Sequence, residues 1–297
     1  MLYAGLLIAL ASAAASNLGF LMRHRGAVAA PDVDPRHPWR TVVGLFSSKW
    51  WTLGYIVAAV AYALHVGALA LAPISLVQAV LAGGLVLLGV LAERLFGFEL
   101  GKREWAGIGL AAVGLTFLAV TGRGPSGEES SEYSLAAMIA FEAAIVGAGT
   151  ALILLGRKGR LRDQYGILLG ISAGLLFTVA HVAVKGLTKE LDSGIAALVL
   201  SPLLWIAMAA WVVAFFASAR SLQIGEAVAV IAVTTIASNA SAIPAGMIVF
   251  NDPLGENALE VGARTLAFVL VVAAAALIPA PTRAAAQQRE RAALAQA

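Results

Sequence analysis

Glu142 is the one acidic side chain that falls well inside an apolar stretch of this 297-residue chain. A carboxylate withdrawn from water is costly, and within a membrane it marks ion binding or proton transfer by default. Glu142 is therefore the candidate metal ligand, able to bind a cation or to carry a coupling proton. The alternative is a protonated, hydrogen-bonded structural residue. His65 and His181 lie in other apolar stretches, where imidazoles that titrate near neutral pH can shuttle protons or serve as satisfied polar side chains. Asn17 sits near the end of the first stretch and can line a route, cap a helix or cross-link two. Ser75 and Gln78 fall near one helical face of a third stretch, with Ala82 and Gly89. Thr234, Ser238 and Ser241 form a similar stripe in an eighth, flanked by Thr235 and Asn239, and Pro244 frees a backbone carbonyl there. Hydroxyls and amides at this spacing can line a polar pathway, and they also glue membrane helices together.

Composition limits the chemistry further. With no Cys, disulfides, thiolate metal sites and Cys nucleophiles are excluded. There is no HExxH and no Walker A sequence, and the four His are scattered. No enzyme and no cofactor are expected, and any transport must run on a gradient rather than on a nucleotide. The net charge of +3 and pI of about 9.4 do not indicate nucleic acid, because the basic residues cluster at the ends of apolar stretches.

The elements that must hold these residues are membrane helices. The chain is 60% hydrophobic and 12% charged, against about 25% charge in a soluble domain, so lipid must be its solvent. A bilayer core about 30 Å thick needs roughly 20 apolar residues in a helix. Nine stretches supply that length: 2–22, 50–71, 73–96, 104–121, 134–155, 165–186, 196–219, 227–250 and 259–278. The first resembles a signal peptide only superficially, since its positive charges, Arg23 and Arg25, follow the apolar run instead of preceding it. It is read as a retained helix. With nine spans, 16 of the 20 Lys and Arg fall on one side, so that side is expected to be cytoplasmic, with the N-terminus outside and the C-terminus inside. The usage of 15 Arg against 5 Lys resembles that of GC-rich bacteria, which makes the bacterial inner (plasma) membrane the expected location.

The two ends of the chain share a layout. A shift of 153 residues places Ser48 on Ser201, Ala61 on Ala214, Leu69 on Leu222 and Val80 on Val233. These identities are sparse, and the span and loop lengths match better than the letters. The expected fold is all-α: a polytopic bundle of nine transmembrane helices in a 4+1+4 inverted repeat. Residues 1–122 form the first repeat, 123–163 the linker helix with its loops, 164–280 the inverted second repeat and 281–297 a cytoplasmic tail. Inverted repeats commonly support alternating access around a midplane site.

Several motifs carry a family resemblance. Ala72-Pro-Ile-Ser-Leu-Val-Gln78 opening a span, then Glu99-Leu100 and Arg103-Glu-Trp-Ala-Gly107, resemble the drug/metabolite transporter (DMT) superfamily, which includes EamA-like proteins. The nine-span plan, Trp50-Trp51 opening span two, Val184-Lys-Gly-Leu187 closing span six and Asn17-Leu-Gly-Phe-Leu21 before Arg23 are closest to its NIPA-type magnesium-transporter branch. Ala79 stands where the family often has Pro. The resemblance implies a secondary transporter moving a small solute, with a divalent cation such as Mg²⁺ as the leading cargo. Mg²⁺ keeps several waters and needs only one or two carboxylates, which suits a lone Glu142. Two other readings remain open. Trp205, Trp211, Phe215 and Phe216 would suit export of a small organic metabolite or drug. The chain could instead be a non-transporting membrane subunit or a translocator of lipid intermediates. The expected partners are the lipid bilayer and the solute, with a homodimer or a membrane partner protein compatible with the sequence.

Overall fold

In lipid no water satisfies backbone amides, so a spanning chain must close its hydrogen bonds within each segment. The computed structural model describes residues 2–71, 77, 80–81, 83–121, 133–157, 159–187, 194–251 and 258–277, and among these every regular element is helical. The helices are α1 (Leu2–Ala29), α2 (Pro38–Ser47), α3 (Lys49–Leu71), α4 (Leu85–Phe96), α5 (Lys102–Thr121), α6 (Leu135–Arg157), α7 (Tyr165–Leu187), α8 (Ile195–Leu200), α9 (Pro202–Ile224), α10 (Ala227–Val249) and α11 (Ala258–Leu277). A 3₁₀ turn, Gly159–Gln164, joins α6 to α7. Six of the described helices are long and apolar enough to cross a membrane: α1, α3, α6, α7, α9 and α10.

The helices depart from those predicted in several places. The first helix runs to Ala29 instead of residue 22, carrying Arg23, His24 and Arg25 into it. Arg23 stays compatible with the apolar setting because its Nε donates to the Gly19 carbonyl at 3.3 Å and its guanidinium lies over the Phe20 and Tyr55 rings. The connection that follows contains α2, a short helix started by Pro38, where a missing N–H costs nothing. The seventh predicted span breaks at Ser201-Pro202. Ser201 is extended and its hydroxyl accepts from the Leu203 N–H at 3.4 Å, capping α9 where Pro202 cannot continue the α8 ladder.

Helix α1 packs along α3 and also against α4; α7 packs along α9 and α10; α5 packs along α11. Close approach at the first two contacts depends on glycine. A Cβ on Gly19 would come within 2.9 Å of the Gly54 carbonyl, and one on Gly174 would overlap the Thr234 carbonyl. The main core lies where α1, α3, α4, α5, α9, α10 and α11 converge, around Leu21, Trp51, Leu88, Ile108 and Ile231. A second core joins α6, α7, α9 and α10 around Met138, Phe141, Val182 and Val249. Helix α4 ends at Gly97, whose left-handed backbone (φ 68°) lets the Phe98 N–H bond back to the Ala92 carbonyl at 3.1 Å.

Candidate functional site

Glu142 is a buried residue of α6, the helix that contributes Met138, Phe141 and Ile145 to the second core. Only 7% of the residue is exposed, and Oε1 is fully enclosed with no hydrogen-bond partner. An orphaned buried carboxylate oxygen is uncommon and calls for an occupant, a proton or an ion. Among the described residues no group of three His, Cys, Asp or Glu converges to form a dehydrated metal cage. Glu142 can therefore offer a single carboxylate to a cation that keeps most of its own water.

Hydroxyl groups cluster at the α7–α10 contact. Thr178 Oγ1 and Ser241 Oγ are 2.7 Å apart, and Thr178 also donates to the Ser238 carbonyl at 3.0 Å. Thr234 Oγ1 bonds the Gly170 carbonyl at 3.0 Å and the Val230 carbonyl at 2.8 Å. The stripe on α10 thus turns Thr234 and Ser241 toward α7. Thr235 and Asn239 bond back within their own helix, to Ile231 and Thr235 carbonyls at 2.9 and 2.8 Å. Asn17 does cross-link helices: its Nδ2 donates to the Ala13 carbonyl at 2.9 Å and to the Gly84 carbonyl, just before α4, at 2.8 Å. His65 keeps a buried Nδ1 without a partner and packs near the Tyr62 ring, whereas His181 is exposed on α7. Ser75 and Gln78 lie outside the described residues. Trp205 and Trp211 are more than half exposed on α9, while Phe215 packs against Trp51 and Tyr55.

One hydrolase-like spacing does occur, at Gly170-Ile-Ser-Ala-Gly174. A nucleophile elbow needs a sharp strand-to-helix turn that exposes its serine. Here the five residues lie inside the continuous helix α7, and Ser172 is fully buried with an unpartnered Oγ against Gly149. These glycines serve the contact with α10.

A second polar cluster escaped the sequence reading, at the end of the bundle that carries most of the basic residues. His24 is buried, its ring edge-on to Phe98 with centroids 5.8 Å apart and in reach of the Gly225 backbone. Glu226, in the two-residue link between α9 and α10, is only 8% exposed. Burial, reinforced by the nearby Glu104 charge, pushes its carboxyl up to about 7. Trp105 donates from Nε1 to Glu93 Oε1 at 3.0 Å in the same region. The available signal was an acid in a basic connection immediately before an apolar run.

Comparison with known proteins matches residues 1–283 to a family model described as Magnesium transporter NIPA. A protein of Arabidopsis thaliana described as "Probable magnesium transporter NIPA9" is 25% identical over 259 residues, covering 83% of this chain and 73% of that protein. No solved structure matches.

Proposed function

Since the chain belongs to the magnesium transporter NIPA family and is a multi-pass membrane transporter, we propose that its cargo is Mg²⁺ and that Glu142 contacts the ion on its way through. The observation that carries this reading is the enclosed, unpartnered Oε1 of Glu142. Mg²⁺ dehydrates reluctantly and is held through one or two carboxylates with its remaining waters intact. The absence of a three-ligand cluster among the described residues suits that mode of binding.

The proposed architecture is nine spans arranged 4+1+4. The packing supports it: α1 lies along α3 and against α4, and α7 lies along α9 and against α10, so spans one to three and six to eight are partnered alike. Helices α5 and α11, the fourth members of the two sets, pack on each other as symmetry-related elements would. Rocking of one set against the other would alternate access to the route, with α6, which packs on α7 and α10, carrying Glu142 along with the second set. The orientation proposed places the basic side in the cytoplasm of a bacterial inner membrane and the N-terminus outside.

Purified protein in liposomes tests the cargo. An enclosed Mg²⁺ dye should report flux along an imposed gradient, while an organic solute carried in place of Mg²⁺ would overturn the assignment. Reporter groups at residue 2 and in the connection after Arg157 test the topology; accessibility from the same side would remove the odd-numbered plan.

A further inference from the structure

We propose that a groove between α6, α7, α9 and the α1–α2 connection binds an anionic glycerophospholipid, its phosphate held between Arg157 and Arg220. The groove has a volume of about 440 Å³. Its chemistry is layered along the helix axes. Arg157 closes α6, Tyr165 opens α7, and Arg220 lies one turn before the end of α9, so the polar groups share one level at the basic end. One to two turns deeper the walls are Ile153, Leu169, Val213 and Phe216. A charged rim above an apolar slot is the profile of a lipid headgroup above its acyl chain. Tyr165 is placed as interfacial tyrosines are, with its hydroxyl accepting from Arg157 Nε at 3.2 Å.

The charge balance selects an anion. Arg157 has no carboxylate partner among the described residues. Arg220 pairs at 2.6 Å with Asp32, whose side chain is largely exposed and offsets only part of its charge. Phe216 also lines a second groove of about 470 Å³, almost wholly apolar, with Trp39 and Trp211. Two apolar slots that share a wall suit a lipid with two chains better than a soluble phosphate. The inference needs the chain to lie in a bilayer and is independent of which solute is carried.

Native mass spectrometry of the full-length, delipidated protein in detergent tests it. The probes are phosphatidylglycerol, phosphatidylethanolamine with the same acyl chains, and glycerol 3-phosphate. Phosphatidylglycerol should be retained about tenfold better than phosphatidylethanolamine, and glycerol 3-phosphate should give no adduct. Arg157→Gln and Arg220→Gln should each weaken phosphatidylglycerol retention about fivefold, the effect of one basic residue near a lipid surface. Arg157→Lys should restore most of it, and Val213→Trp, which fills the slot from a half-exposed position, should lower retention of both lipids. Arg40→Gln, an exposed charge outside the groove, should change nothing. Equal retention of the two lipids by the unmodified protein would overturn the proposal. So would competition by glycerol 3-phosphate, or a loss in Arg40→Gln matching that in Arg157→Gln.

Discussion

Glu226 makes stability depend on pH in a direction opposite to that of an ordinary surface carboxylate. Its carboxyl ordinarily titrates at 4.5, and burial beside Glu104 moves it to about 7. Between those values the folded chain holds a proton that the unfolded chain has released, so stability falls as pH rises. The stabilising effect of the neutral acid is complete below pH 4.5 and is lost as pH passes through about 7. At 1.36 kcal/mol per pH unit, the full loss is about 3 kcal/mol. Glu226→Gln keeps the shape and removes the titration. It should match the unmodified protein near pH 4 and exceed it by about 3 kcal/mol at pH 8. Glu104→Gln removes only the secondary cause and should shift the transition a little toward lower pH. Thermal unfolding in detergent, followed by tryptophan fluorescence at a series of pH values, reads all three proteins. A flat profile in the unmodified protein between pH 5 and 8, or an equal slope in Glu226→Gln, would refute the reasoning.

Other perturbations separate packing from polar contacts. Gly174→Ala should destabilise by about 1–3 kcal/mol, because its Cβ meets the Thr234 carbonyl and lies 2.9 Å from Ala237 Cβ and 3.0 Å from the Ser238 nitrogen, backbone of α10 that cannot give. Thr178→Val should cost only about 0.6 kcal/mol, the usual value of a hydrogen bond between membrane helices, and Ser241 still keeps the Ala237 carbonyl. A denaturant titration in mixed micelles that ranked these two the other way would mean that hydroxyls, not glycine contacts, hold α7 to α10. Gln223 accepts from the Val33 N–H at 2.9 Å and donates to the Ala27 and Pro31 carbonyls at 3.0 and 2.9 Å. Gln223→Ala should free the α1–α2 connection, seen as faster tryptic cleavage after exposed Arg36; an unchanged rate would show that the connection is held elsewhere.

Long apolar runs made most of the fold legible, because backbone satisfaction in lipid leaves a run of that length little choice but a helix. The start of α10 at Ala227 agrees with the expected residue, since Gly225 and Glu226 interrupt the apolar pattern. Charge was a poorer guide to where helices stop. Arg23 and His24 read as the end of a span, yet α1 continues because Arg23 folds back along its own helix and His24 finds Phe98, contacts invisible to a linear reading. Span seven hid a break for a related reason: Ser201-Pro202 sits in an unbroken apolar context, and only the cap to Leu203 reveals it. At the candidate site, Glu142 stood out as a lone acid, but its enclosed, unpartnered oxygen is a property of the packing around α6 that a linear reading does not show. Glu226 did not stand out, because one carboxylate between two spans looks like a solvated loop until its neighbours bury it.

Mg²⁺ flux into dye-loaded liposomes, compared between the unmodified protein and Glu142→Gln at matched reconstitution, tests the central claim most directly. The account predicts gradient-driven flux in the unmodified protein and a loss of about tenfold or more in the variant, the scale on which changes at a metal site act. Equal flux in the two proteins would contradict it and return Glu142 to a purely structural place in the α6 contact.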